Sequence, residues 1–131
     1  MKFNSLEEAR EYFKNDLFAT NAGMQIDSLS EGEVVCSVEQ TSALRNANGG
    51  IMGGAIFTLA DLALAVLANN IHFPSVASQV SINYLAAPKG TKMFAKAKVI
   101  KDGRTTTVIN VDITDDTGRA VALFIGTAFK L

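Results

Sequence analysis

Asp61 is the only ionisable residue in the run Ala55-Ile-Phe-Thr-Leu-Ala-Asp-Leu-Ala-Leu-Ala-Val-Leu-Ala68. Holding an unpaired carboxylate among apolar side chains costs on the order of several kcal/mol, so its presence calls for a reason. A solvent-facing position or a strand lysine as partner would satisfy it structurally. At a cleft, desolvation raises its proton affinity and fits it to serve as general base or nucleophile. Upstream stands the pair Gly53-Gly54. The start of a helix presents unpaired N–H groups and a partial positive charge, and glycine leaves that backbone open to a carbonyl oxygen. Gly pairs at helix starts also occur as plain turn chemistry. With an acid on the same helix, the combination suits attack on a thioester whose oxyanion the amides receive.

The element that carries these groups reads as a central helix over about 53–69, rich in Ala and Leu and without β-alternation. Eight residues of helix place Gly53 and Asp61 about 12 Å apart along the axis. One carbonyl cannot touch both. If both serve one reaction, they come from two antiparallel copies of the helix, which predicts an obligate homodimer. The helix is also apolar nearly all round and must be covered nearly all round: a sheet covers one side, a partner subunit the other.

Ser5 and Glu8 form a capping-box pattern ahead of a short amphipathic helix over about 5–15. Strands are expected around Met24–Ser28 and Glu33–Glu39, and in the second Val34, Cys36 and Val38 share a face. After the central helix come four strands joined by turns at Pro88-Lys89-Gly90, Asp102-Gly103 and Asp116-Thr117-Gly118, which implies antiparallel pairing. Alternation groups Val76, Ser78, Val80, Ile82 and Tyr84; then Met93, Ala95, Ala97 and Val99; then Ile109, Val111 and Ile113; then Val121, Leu123, Ile125 and Phe129. The expected class is α+β, a curved antiparallel sheet around one long helix, in a single domain over 1–131.

The 131 residues are 48% hydrophobic and 19% charged, a globular composition, and the net charge of −1 argues against a general nucleic-acid binder. Six basic residues (Lys89, Lys92, Lys96, Lys98, Lys101, Arg104) stand against one acid, Asp102, between 89 and 104. They read either as solvated strand faces or as a local anion-binding edge. Cys36 is the sole cysteine, so no intrachain disulfide forms, and it reads as a small core residue. The first eight residues carry no apolar signal run, and the apolar helix contains Asp61 and a glycine pair without basic flanks. A cytoplasmic protein with no membrane span is expected.

The segment Asn46-Ala-Asn-Gly-Gly-Ile-Met-Gly-Gly-Ala-Ile-Phe-Thr-Leu-Ala-Asp61 resembles the signature of the PaaI-type hotdog thioesterases, as do Ile82-Asn-Tyr-Leu-Ala-Ala-Pro88 and the turn Lys101-Asp-Gly-Arg104. The resemblance spans roughly residues 20 to 131. It implies a hotdog dimer, often paired again into a tetramer, that hydrolyses acyl-CoA thioesters without metal or redox cofactor. By position it makes Asp61 the catalytic acid, Gly53 the amide donor to the thioester carbonyl, and Asn46 the loop residue that orients water or substrate. Met52 stands where the family usually has His, and a thioether neither donates a hydrogen bond nor carries a proton. The family's Ser or Thr on the following strand falls at Ala77 or Ser78, depending on register. For CoA, the turn Gly103-Arg104-Thr105 and Lys89 are candidate phosphate contacts. Gly54, Phe57, Leu64 and Tyr84 are candidate linings of the acyl pocket, although apolar residues on a buried helix are more often core. His72 is expected at the surface.

Met52 motivates a second reading, a non-catalytic acyl-CoA binding or sensing module. A hydratase or dehydratase ranks below both, because it needs a His with its acid and the one His lies outside the motif.

Overall fold

The computed structural model describes residues 1–131. In chain order the elements are α1 (Leu6–Phe13), α2 (Leu17–Asn21), β1 (Gln25–Leu29), β2 (Glu33–Glu39), a 3-10 turn (Ser42–Leu44), α3 (Gly53–Ile71), β3 (Ser75–Tyr84), β4 (Lys92–Asp102), β5 (Thr106–Asp115) and β6 (Ala120–Lys130). The six strands form one antiparallel sheet in the order β1-β2-β4-β5-β6-β3, and α3 packs against five of them. This is the expected α+β layering.

Local chemistry sets the element ends. Ser5 caps α1: its Oγ accepts from Glu8 N at 3.1 Å, while the Glu8 carboxylate reaches back to Asn4 N at 3.0 Å. The helix stops at Phe13, short of the expected 15, because the chain turns there into α2, a five-residue helix that sequence periodicity is too short to reveal. At the other end α3 runs two residues past Asn69. Asn70 is buried and accepts the Phe3 N–H at 3.0 Å, and its own carbonyl accepts Lys2 N at 2.8 Å. The N-terminal segment thus occupies acceptors that a helix end would otherwise leave bare.

The inner face of the sheet carries Val34, Cys36 and Val38 from β2, Met93, Ala95 and Ala97 from β4, and Ile109, Val111 and Ile113 from β5, all buried. These are the faces read from alternation, Cys36 included. The expected face of β6 is corrected. Ala122, Phe124, Gly126 and Ala128 are buried, whereas Ile125 and Phe129 are 37% and 40% exposed. A bulge around Val121 breaks the register with β5, and an extra residue moves every later side chain to the opposite face. Gly126 lies under the helix: a Cβ there would fall 2.2 Å from Leu64 Cδ1. Leu64 is therefore core and not a pocket lining. A second bulge in β3 leaves Ser78 unpaired and exposed, its Oγ donating to Thr127 O at 3.1 Å, so Ser78 leaves the face that alternation gave it.

α3 is long and apolar enough to cross a membrane by length and composition, with a mean hydropathy of 1.6. Most of that length is covered within the fold, as in a core helix.

Candidate active site

Asp61 sits half-buried on α3 in a cleft of about 390 Å³ walled by Asp16, Leu17, Phe18 and Ala19 from the α2 segment and by Phe57, Thr58 and Leu62 from α3. Phe57 is held there by an edge-on contact with Phe124, ring centroids 5.4 Å apart. The Asp61 carboxylate has no cation partner and accepts no hydrogen bond within the chain. Burial pushes its carboxyl above the ordinary value of 3.8, and the Asp16 carboxylate beside it adds to the rise. A carboxylate that binds its proton more tightly than usual, in a half-dry cleft, is suited to general-base work.

The start of α3 builds a second, separate pocket of about 330 Å³, lined by Ile51, Gly53, Ile56, Tyr84, Leu85 and the 86–88 segment. Met52 is the N-cap residue and supplies no side-chain cap. Its carbonyl takes the Ala55 and Ile56 N–H groups, leaving those of Gly53 and Gly54 without a partner in the chain. Tyr84 Oη donates to Gly53 O at 3.0 Å, so the strand end and the helix start are tied together. At 3.6 residues per turn, Asp61 lies about 80° round the helix from Gly53 as well as two turns along it. Within one chain the acid and the bare amides open into different pockets.

Asn46 acts inside its loop. Its Oδ1 accepts from Asn48 N at 3.0 Å and Gly50 N at 3.2 Å, and its backbone pairs with Gly50 O and Gly49 N. Only its amide NH2 is left to reach outward. Met52 is 55% exposed at the helix tip, and a Cβ on Gly54 would lie 3.8 Å from its sulfur. His72 caps the far end of α3, with Nε2 3.1 Å from Leu131 O, well away from the glycine pair.

The basic residues divide. Lys96 and Lys98 flank Glu33 at 3.8 and 3.6 Å, across the strand pairing of β2 with β4, so these two lysines face an acid that the linear sequence places far away. Lys89 is exposed before β4, next to the Gly53 pocket; its N–H goes to Asp115 Oδ2 at 2.7 Å. The turn Gly103-Arg104-Thr105 follows β4 and lies at the opposite end of the sheet. There Lys130 reaches Gly103 O at 2.7 Å and Lys130 N reaches Thr105 O at 2.9 Å. The Gly103 N–H is used within the turn, toward Thr106 O at 2.8 Å, while Arg104 is exposed without a carboxylate partner. A full strand, roughly 35 Å, separates Lys89 from Arg104. One chain does not bring them to one ligand.

The sequence reading missed α2 and Asp16. The only signal was an Asp ahead of a short apolar pair, Leu17-Phe18, an N-cap pattern with too little helix behind it to register. In the structure those two side chains are 65% and 80% exposed at the lip of the Asp61 cleft.

The chain is similar to known thioesterases in sequence and fold. The family model for the thioesterase superfamily matches residues 48–122, the stretch from the Asn46 loop through α3 into β6. The acyl-coenzyme A thioesterase PaaI of Escherichia coli K12 is 30% identical across the whole of this chain and 94% of its own length. The solved structure of E. coli PaaI superposes with a TM-score of 0.87 at 29% identity, covering 97% of this chain and 96% of that one. A Streptococcus pneumoniae thioesterase protein solved with coenzyme A is 33% identical with a TM-score of 0.82, covering 89% and 94%. The layering of helix and sheet is that of the hotdog fold.

Proposed function

This chain belongs to the thioesterase superfamily, and from that premise we propose that it hydrolyses an acyl-CoA or aryl-acyl-CoA thioester to the free acid and CoA. The observation that carries the proposal is Asp61, an unpaired carboxylate of raised proton affinity in an apolar-walled cleft on the same helix as two unpartnered amides. Water attacks the thioester carbon as Asp61 takes its proton. The oxyanion draws charge toward the Gly53 N–H. The C–S bond then breaks and the proton passes from Asp61 to the departing thiolate.

The site works as a composite of two subunits. β3 supports this: it is an edge strand of ten residues with no charged side chain and no proline, the kind of edge that pairs with another copy. Two-fold pairing turns one helix against the other and brings the Gly53 pocket of one protomer toward the Asp61 cleft of its partner. The same rotation carries one protomer's Arg104 turn to the end of the sheet where the partner keeps Lys89, so that both can flank the CoA phosphates. Asn46, through its free amide, orients water or substrate; Met52, Gly54, Phe57, Tyr84 and Thr105 line the path. Ile125 and Phe129 on the outer sheet face offer a surface through which dimers pair into a tetramer. The protein acts in the cytoplasm.

The test is a thioesterase assay of the wild-type protein and Asp61→Ala against CoA esters graded in chain length and aromaticity. Turnover that Asp61→Ala leaves intact removes Asp61 from the mechanism, and tight CoA-ester binding without turnover favours the binding-module reading.

A further inference from the structure

We propose that Asp16 is a positioning residue for this site, the second carboxylate of the Asp61 cleft, acting on Asp61 through its charge. The inference rests on the role given to Asp61 above. Asp16 is the N-cap residue of α2, yet its side chain makes no capping hydrogen bond. It lines the Asp61 cleft together with Leu17 and Phe18. Neither carboxylate has a cation or a donor within the chain. Two unpaired carboxylates on one apolar-walled cleft repel each other, and the repulsion favours the state in which one of them is protonated.

The surroundings leave Asp16 as the charge that acts on Asp61. On α1, Arg10 pairs with Glu7 at 3.0 Å and Lys14 pairs with Glu11. The sheet presents toward α3 the buried thiol of Cys36, with the Asp27 carboxylate of β1 acting on that thiol, Tyr84 at the helix start, and Asp115. Asp115 is engaged by Thr117, Lys89 and Arg119 at the end of β5. His72 lies at the far end of α3, on Leu131 O. The effect on each carboxyl runs the same way: partial burial raises Asp16, which stands exposed at the rim of the cleft, and burial followed by Asp16 raises the half-buried Asp61. A base with higher proton affinity takes the proton of attacking water more readily at neutral pH.

Asp16→Asn tests the idea cleanly, because Asn is as good an N-cap residue as Asp and only the charge is lost. The readouts are the pH profile of kcat/KM with a CoA ester that the wild-type dimer hydrolyses, and the carbon-13 titration of the Asp61 carboxyl. We expect the acid limb and the Asp61 titration to move down by about half a pH unit or more. KM should stay within about two-fold, and Asp16→Glu should restore the wild-type profile. Superimposable profiles and an unmoved Asp61 titration overturn the proposal. The titration is read without substrate, so an absence of turnover in wild type would count against the thioesterase reading while still testing Asp16.

Discussion

Tyr84 closes directly onto Gly53: the phenol donates to the Gly53 carbonyl at 3.0 Å, and a Cβ on Gly53 would lie 3.2 Å from the Tyr84 ring. Gly53 is thus required twice, once for an open amide at the start of α3 and once for the approach of β3. Gly53→Ala should displace the ring by a few tenths of an ångström and lower kcat about ten-fold by loosening the oxyanion donor, with a smaller change in KM. Steady-state kinetics decides it. An unchanged kcat would show that the amide does not serve the transition state.

The role proposed for Asp61 sets activity against stability. Its folded-state proton affinity lies above the ordinary 3.8, so the ionised form is disfavoured by the fold. That penalty is full above the folded value and gone below 3.8. Asp61→Asn should therefore melt higher than wild type at pH 7. The advantage should shrink as pH falls through the folded value. Turnover should drop by about 10²–10⁴-fold. Calorimetric melting curves from pH 7 to 3.5 check the sign.

Asp115 has the opposite sign. The Thr117 hydroxyl, with the Lys89, Arg119 and Thr117 amides, holds its carboxyl down to about 2 from 3.8. A depressed carboxyl contributes stability above its unfolded value and loses it as pH falls toward the folded one. Asp115→Asn should lower Tm at pH 7, and the gap to wild type should close between about pH 4 and 2. A constant gap across that window would mean that packing of the turn, and not ionisation, accounts for the loss.

Much of the fold was legible where a strand keeps its alternation or a helix is long. The inner faces of β2, β4 and β5 follow period two without interruption, and α3 starts at the predicted glycine. β3 and β6 were not legible in the same way, because single-residue bulges at Ser78 and Val121 shift the face within the first few residues of each strand and no residue type announces them. α2 has five residues, fewer than two turns, and leaves no periodic trace. In the site, Asp61 stood out because a lone acid is costly to keep in an apolar helix and is seldom found there without a role. Asp16 did not, because an acid ahead of a short loop is commonplace. The salt links of Glu33 to Lys96 and Lys98 depend on which strands become neighbours, and β2 and β4 are separated by the whole of α3 and β3. That Lys89 and Arg104 end up far apart follows from simple counting, since one strand lies between them.

Catalysis as proposed requires Asp61 and the Gly53 amide to meet across two subunits. The direct measurement is co-expression of two differently tagged variants, Asp61→Asn and Gly53→Val, each inactive as a homodimer, with purification of the mixed dimer. A shared site predicts one intact centre per mixed dimer and about half the wild-type rate per dimer, since only one of two equivalent sites survives. A mixed dimer as inactive as either parent would contradict it.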